Sequence, residues 1–317
     1  MWAHKTNIYK LCPYKYIMVY HEVRIKGNHS YNYIIHNARE DGKWKKKSKF
    51  IGNGRLSKKK IEEEIERFKL KMNKYISEEN HKKIEEIKNK FNAYLSKGGK
   101  SLDENFREWF FTELTYNSNA IEGNTLSLKE TSMIINENLV PKCAKLREVY
   151  EARNYKEALE FLKNYKGELN EKLILKIHSL ILKDIDDSNA GRYRIVNVFI
   201  SGEPNLKFPK AGEISKLIKE LINFYNKNKK KYHPLELATI ISMKFVSIHP
   251  FVDGNGRVSR LLMNFIIKKY GYPEINIYFK DRQNYLRAVR KANDENYDLI
   301  IDFLIKTIII NYKFLYN

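Results

Sequence analysis

From Leu102 onward, apolar side chains recur every three or four positions, the spacing that gathers them on one face of an α-helix. Phe106, Phe110, Leu114 and Ile121 mark the first such face, which stops at Gly123. The same periodicity predicts helices over 126–138, 146–163, 170–184, 213–226, 235–248, 257–270, 282–292 and 299–312. One interval breaks the pattern. Residues 194–200 are β-branched and roughly alternating, and Gly202, Pro204 and Pro209 follow, which predicts a short hairpin inserted among helices.

Upstream the pattern changes. Residues 16–20 and 31–36 are rich in β-branched and aromatic side chains, with Gly27-Asn28 between them and Asp41-Gly42 ahead of the basic run 43–49. A small antiparallel sheet with a basic edge is expected. Ser57 then caps a long charged helix running towards Leu95, with room for a division into two helices around 78–80. Glu62, Glu63, Glu64 and Glu66 precede Lys69, Lys71 and Lys74, an order that suits the helix dipole. The paired Gly98-Gly99 mark the best boundary, so three regions are expected: 1–56, 57–100 and a mainly α-helical 101–317.

Composition sharpens this only in part. With 317 residues, 43% of them hydrophobic, the chain can bury a large core, which excludes wholesale disorder. Fifty-nine Lys and Arg against 38 Asp and Glu give a net charge of +21, which favours anionic partners without choosing among them. Cys12 and Cys143 are too few for a disulfide framework, and no His-x-x-x-His pair signals a zinc site. The apolar stretch 299–310 is interrupted by Asp302 and Lys306 and is too short for a bilayer, so a soluble, cytoplasmic protein with no membrane partner is expected.

The chemistry concentrates in residues 249–260, which read His-Pro-Phe-Val-Asp-Gly-Asn-Gly-Arg-Val-Ser-Arg. Pro250 and Gly254 predict a loop between two helices. Asp253 is a hard oxygen donor suited to Mg²⁺. Gly254, Asn255 and Gly256 carry little bulk, so their amides can curl into an anion nest at a helix N-terminus. Arg257 and Arg260 lie on neighbouring parts of one helical face and offer planar donor forks for phosphate. His249 supplies a proton acceptor near neutral pH. Within twelve consecutive positions this assembles the parts of metal-assisted phosphate chemistry.

The segment resembles the full HPFx[D/E]GNGRxxR signature of the Fic family, matching every fixed position. Gly52-Asn53-Gly54-Arg55 repeats four of its letters but lacks His-Pro-Phe and the acid, and reads as a turn. The resemblance implies a Fic-type helical bundle with an inserted β-hairpin flap, and transfer of AMP from ATP to a Tyr, Ser or Thr hydroxyl of a protein. It makes His249 the base, Asp253 the Mg²⁺ ligand, Gly254, Asn255 and Gly256 the phosphate cradle, and Arg257 and Arg260 the charge neutralisers. Ser118-Asn119-Ala120-Ile121-Glu122-Gly123 resembles the family's inhibitory helix, [S/T]xxxE[G/N], whose glutamate pairs with the second motif arginine, here Arg260. A Glu122 brake is therefore implied. Family members that use this glutamate to remove AMP leave a deAMPylating or bifunctional enzyme open.

Two flanking segments extend the resemblance. Ala190-Gly191-Arg192-Tyr193-Arg194 looks like the lead into a target-binding flap, placing a protein substrate near 196–202. Tyr285 and Asn293 look like residues beside the nucleoside, the first over adenine and the second at a base edge or the ribose. His178 reads as a satisfied core or helix-face histidine. The resemblance covers roughly 102–310 and leaves the first hundred residues unexplained. There, lysines 43–49 around Trp44 allow a nucleic-acid-binding module as a rival function, or simply a solvated sheet edge. Self-modification and oligomer formation both remain open.

Overall fold

The structure, a computed structural model, describes residues 18–40, 43–72, 75–198 and 208–316. The chain divides into two compact units, one holding the residues up to Tyr75 with Asp294–Asn296, the other Ile76–Asn293 with Tyr297–Asn317.

The first unit is an antiparallel sheet of β1 (Met18–Lys26), β2 (His29–Glu40) and β3 (Lys43–Asn53), with β2 central, followed by α1 (Lys58–Met72). Gly27, at φ 60°, makes the turn that brings Lys26 opposite His29. Asp41-Gly42 lie outside the described residues. Ile34 and Ile35 on the central strand are fully buried. The Ser57 hydroxyl accepts the Lys60 amide and caps α1 as the sequence predicts. Gly52 and Asn53 are the last residues of β3 and not the turn expected, with Gly54 in a bend after them, and the Asn32 side-chain amide donates to the carbonyls of Gly52 and Gly54 at 3.1 and 2.7 Å.

The second unit is helical. Its first run, α2 (Glu78–Ile121), starts at Ser77, whose hydroxyl accepts the Asn80 amide, so the long charged stretch is indeed two helices. Helical dihedrals fail inside α2 only at Gly99 (φ 63°, ψ −162°), and the chain resumes as helix directly afterwards. Then follow α3 (Leu128–Asn136), α4 (Leu146–Asn164), α5 (Glu171–Leu182), α6 (Ile214–Asn228), α7 (Pro234–Ile248), α8 (Asn255–Lys269), α9 (Arg282–Ala292) and α10 (Asp298–Asn311).

The antiparallel pair α7 and α8 forms the centre, buried along nearly its whole length, with α5, α4 and α2 against α8 and α6 and α10 against α7. Their close approach is helped by small residues, since Ser242 and Ser259 share a 2.6 Å hydroxyl contact across the pair. Among the described residues, no helix is long and apolar enough to cross a membrane.

The inserted hairpin expected around 194–202 is not seen among the described residues. Residues 191–198 and 208–210 contain no strand, and 199–207 lie outside the described residues. Arg194 takes up backbone groups on both described sides of this segment. Its guanidinium donates to the carbonyls of Val196 (2.9 Å) and Pro209 (2.7 Å), so a side chain satisfies groups that strand pairing would otherwise take up.

Candidate active site

Pro250 and Gly254 end α7 and start α8 as a tight connection. His249 caps α7 in the left-handed region (φ 50°, ψ 60°), and Gly254 opens α8 at φ 79°. Asn255 staples the loop from inside, its side chain accepting the Phe251 amide at 3.0 Å and donating to the Phe251 carbonyl at 2.9 Å. Arg194, almost fully buried, donates from Nε to the His249 carbonyl at 2.7 Å and thereby helps fix the unusual His249 backbone.

The His249 ring stacks on Phe208, centroids 4.2 Å apart, and its Nδ1 is buried without a well-formed hydrogen bond among the described residues. Burial first, and then the Arg194 charge, push this imidazole down to about 4, so it is neutral at pH 7 and free to accept a proton.

A second histidine supports the loop. His178 on α5 is fully buried and lies flat against Phe251, centroids 3.5 Å apart and rings parallel within 1°. Its Nδ1 accepts the Gly191 amide at 3.0 Å, which leaves Nε2 to donate to the Asp253 carbonyl at 3.1 Å. Burial pushes His178 down to about 4, which keeps this neutral tautomer in place. The sequence reading of a satisfied core histidine holds, with more consequence than expected, because it ties the loop to the start of the 191–198 segment.

The acidic and basic side chains form two linked groups. Asp253 Oδ2 accepts Arg147 Nη2 at 2.6 Å, and Oδ1 faces Arg257 Nη2 at 3.3 Å. Burial would raise this carboxyl, but Arg257, the Gly254 amide and Arg147 outweigh it and hold the group below the ordinary aspartate value. Arg257, almost fully buried, also reaches Glu151 at 3.4 Å; Glu151 in turn holds Arg147 at 3.2 Å and accepts the Asn124 side-chain amide at 2.9 Å.

The second group surrounds Arg260, whose side chain is 5% exposed. Its Nε donates to the Ser118 hydroxyl at 2.9 Å, and Nη2 donates to the Ser118 carbonyl at 2.9 Å and to Glu122 Oε1 at 2.7 Å. Ser118 and Glu122 are presented by the last turn of α2, which Gly123 terminates at φ 105°. A Cβ placed on Gly256 would collide with the Glu122 carboxylate and come within 3.2 Å of Arg260 Nη1. The Glu122 carboxylate thus lies at the N-terminus of α8, the position where a helix favours an anion.

The structure brings together His249, Asp253, Gly254, Asn255, Gly256, Arg257, Arg260, Ser118, Glu122 and Gly123. Tyr285 and Asn293 are placed differently. Tyr285 is 3% exposed, near Arg260 and 5.9 Å from the Phe303 ring, while Asn293 Oδ1 accepts the Ser247 hydroxyl at 2.8 Å. Arg147, Glu151 and Arg194 were not singled out from sequence as parts of the site. They belong to different helices or segments, and no local spacing marks them.

Residues 168–267 match the Fic/DOC family, a stretch containing α5, the loop and most of α8. The helical unit thus carries a segment similar to the Fic domain. Over 184 residues the chain is 35% identical to the protein adenylyltransferase Fic of Nematostella vectensis, and over 189 residues 31% identical to that of Aedes aegypti. These alignments cover 55% and 58% of this chain but 42% and 37% of the relatives, so the chain spans about two fifths of their length. Among solved structures, Fic-1 (residues 134–508) from C. elegans superposes with TM-score 0.67 at 26% identity, covering 74% of this chain and 70% of the other. A Fic-domain-containing signalling protein from Bacteroides thetaiotaomicron gives 0.66 at 26% identity, covering 73% and 95%.

Proposed function

We propose that this protein transfers AMP from ATP to a hydroxyl of a protein, and that Glu122 restrains the reaction. One observation carries the reading: the Glu122 carboxylate, bonded to buried Arg260 and lying against Gly256, fills the anion position at the start of α8. A cavity built around a guanidinium and a helix N-terminus suits a phosphate as well as a carboxylate. Displacing Glu122 opens that place to the terminal phosphate of ATP.

With Nδ1 buried, Nε2 of neutral His249 takes the proton from the incoming hydroxyl, whose oxygen then bonds to the α-phosphorus as the bond to the β-phosphate oxygen breaks and pyrophosphate leaves. Arg257 and Arg260 stabilise the charge on the departing phosphates, and the Gly254–Gly256 backbone keeps water out while holding them. Asp253 fits Mg²⁺: it is ionised, its side chain is 43% exposed, and the Arg147 guanidinium on Oδ2 supplies positive charge of the kind a divalent ion would. Bound there, the ion would neutralise phosphate charge. The target docks beside Ile195 and Val196, which are 92% and 53% exposed next to the Arg194 anchor.

The decisive assay follows α-phosphate-labelled ATP into protein by wild type, Glu122→Gly and His249→Ala. Strong labelling by Glu122→Gly, weak labelling by wild type and none by His249→Ala is the expected order. Equal labelling by wild type and Glu122→Gly would remove the brake. Release of AMP from purified modified target by wild type but not Glu122→Gly would instead assign the carboxylate to hydrolysis.

For the alternative of a nucleic-acid-binding module, two lysines of the basic run, Lys46 and Lys49, are engaged by Glu22 and Glu64 at 2.9 and 3.0 Å.

A further inference from the structure

Within the same unit, at the opposite end of α7 from His249, three side chains with metal-binding chemistry converge. His81 and Glu85 stand one turn apart near the start of α2, and His233 is the N-cap of α7. The ligand atoms they offer all lie within 4.8 Å of one another. The two imidazoles meet edge-on with centroids 5.1 Å apart, and His233 Nε2 is 3.5 Å from Glu85 Oε1. Across fifteen helical residues, about 22 Å of α7 separates this cluster from the Fic loop.

The geometry points to a divalent-cation site at His81, Glu85 and His233, with two nitrogens and one carboxylate oxygen selecting Zn²⁺ or a similar first-row metal. Tetrahedral ligands around zinc lie roughly 3.3–3.5 Å apart at metal–ligand distances of about 2.0–2.1 Å. Closing the cluster to that size requires a rotation of His81, which is exposed on the helix surface. His233, with its side chain 9% exposed, is the fixed member, and Glu85, 34% exposed, lies between.

The neighbours suit such a site. The Tyr272 hydroxyl bonds the Glu85 carboxylate and sits 3.2 Å from His233 Nε2, so it orients two ligands at once and can serve as the fourth ligand in place of water. Two features oppose binding and set its strength. Lys88 lies over the Tyr272 ring at 4.3 Å, placing a like charge nearby. His233 Nδ1 accepts the Leu235 amide at 3.2 Å, and coordination through Nε2 moves the ring proton to Nδ1 and gives up that contact. A micromolar site follows, in place of the much tighter sites built from thiolates. Its role is to clip the start of α2 to the start of α7, independent of the Fic chemistry. A search for paired histidines misses it because the helical pair is His-x-x-x-Glu and the third ligand comes from a distant helix.

The test is titration of the chelator-treated full chain with Zn²⁺ by calorimetry, and with Co²⁺ by visible absorption of a four-coordinate complex. One equivalent should bind, the thermal midpoint should rise by several degrees, and Asp253→Ala should leave both unchanged. His81→Ala and Glu85→Gln should each weaken binding at least tenfold without lowering the metal-free midpoint, because His81 and Glu85 reach the surface. Absence of binding at micromolar metal, or binding that survives both substitutions, would overturn the assignment.

Discussion

Positive charge is handled in opposite ways in the two units. On β3, Lys46 and Lys49, about half exposed, meet Glu22 and Glu64 in water. Such pairs contribute about 0–1 kcal/mol and can be broken cheaply. On α8, Arg257 and Arg260 are almost fully buried, with the terminal nitrogens of Arg257 facing Glu151 and Asp253 and the guanidinium of Arg260 donating to Ser118 and Glu122. A guanidinium removed from water requires an anion. Net charge of +21 therefore says little about function, whereas two buried arginines beside a helix N-terminus say a good deal.

The largest expected effect is at His249. Replacement by alanine should lower AMP transfer by about 10²–10⁴-fold, the range of a lost general base, with little change in ATP binding by calorimetry. Glu122→Gly comes next and moves two observables in opposite directions. Transfer should rise at least tenfold, while denaturant unfolding should show a loss of about 1–2 kcal/mol as Arg260 loses its carboxylate, a figure reduced because Glu122 is 40% exposed. If activity and stability rose together, the pair would not be the restraint.

Acid should then separate the units further. His178, His233 and His249, all in the helical unit, are pushed by burial down to about 4, against an ordinary histidine value of 6.5. Between these values the unfolded chain binds protons that the folded chain refuses, so stability falls as pH drops from 6.5 towards 4 and is fully present above 6.5. Thermal midpoints measured across that range should decline, and the decline should be shallower in His178→Asn if that variant folds. The acid limb of kcat/KM should likewise lie below the ordinary histidine value, near 4. The smallest effect belongs to the sheet. Lys46→Ala should change stability by no more than about 0.5 kcal/mol and leave AMP transfer untouched.

How legible these features were depended on how local they are. Helix boundaries in the second unit followed from apolar spacing to within a few residues, since α7 and α8 are buried and their pattern has no competitor. The loop 249–260 was readable because its groups are consecutive, and Ser118 and Glu122 because one helical turn joins them. Arg147, Glu151 and Arg194 act through contacts with segments far away in sequence, so nothing near them announces the role. Residues 194–198 differ from expectation for a related reason. Their β-branched composition favours strand, but β-propensity reflects fit to a pleated neighbour, and here the Arg194 side chain takes the carbonyls instead.

The most direct test of the central claim is a pair of crystal structures, of the wild-type chain and of Glu122→Gly, each soaked with ATP and Mg²⁺ at saturating concentration. In Glu122→Gly a phosphate oxygen should lie on Arg260 where the carboxylate was, with the His249 imidazole turned towards the α-phosphate, while the wild type keeps its 2.7 Å Glu122–Arg260 pair and no phosphate there. The same triphosphate pose in both, with that pair intact in the wild type, would contradict it.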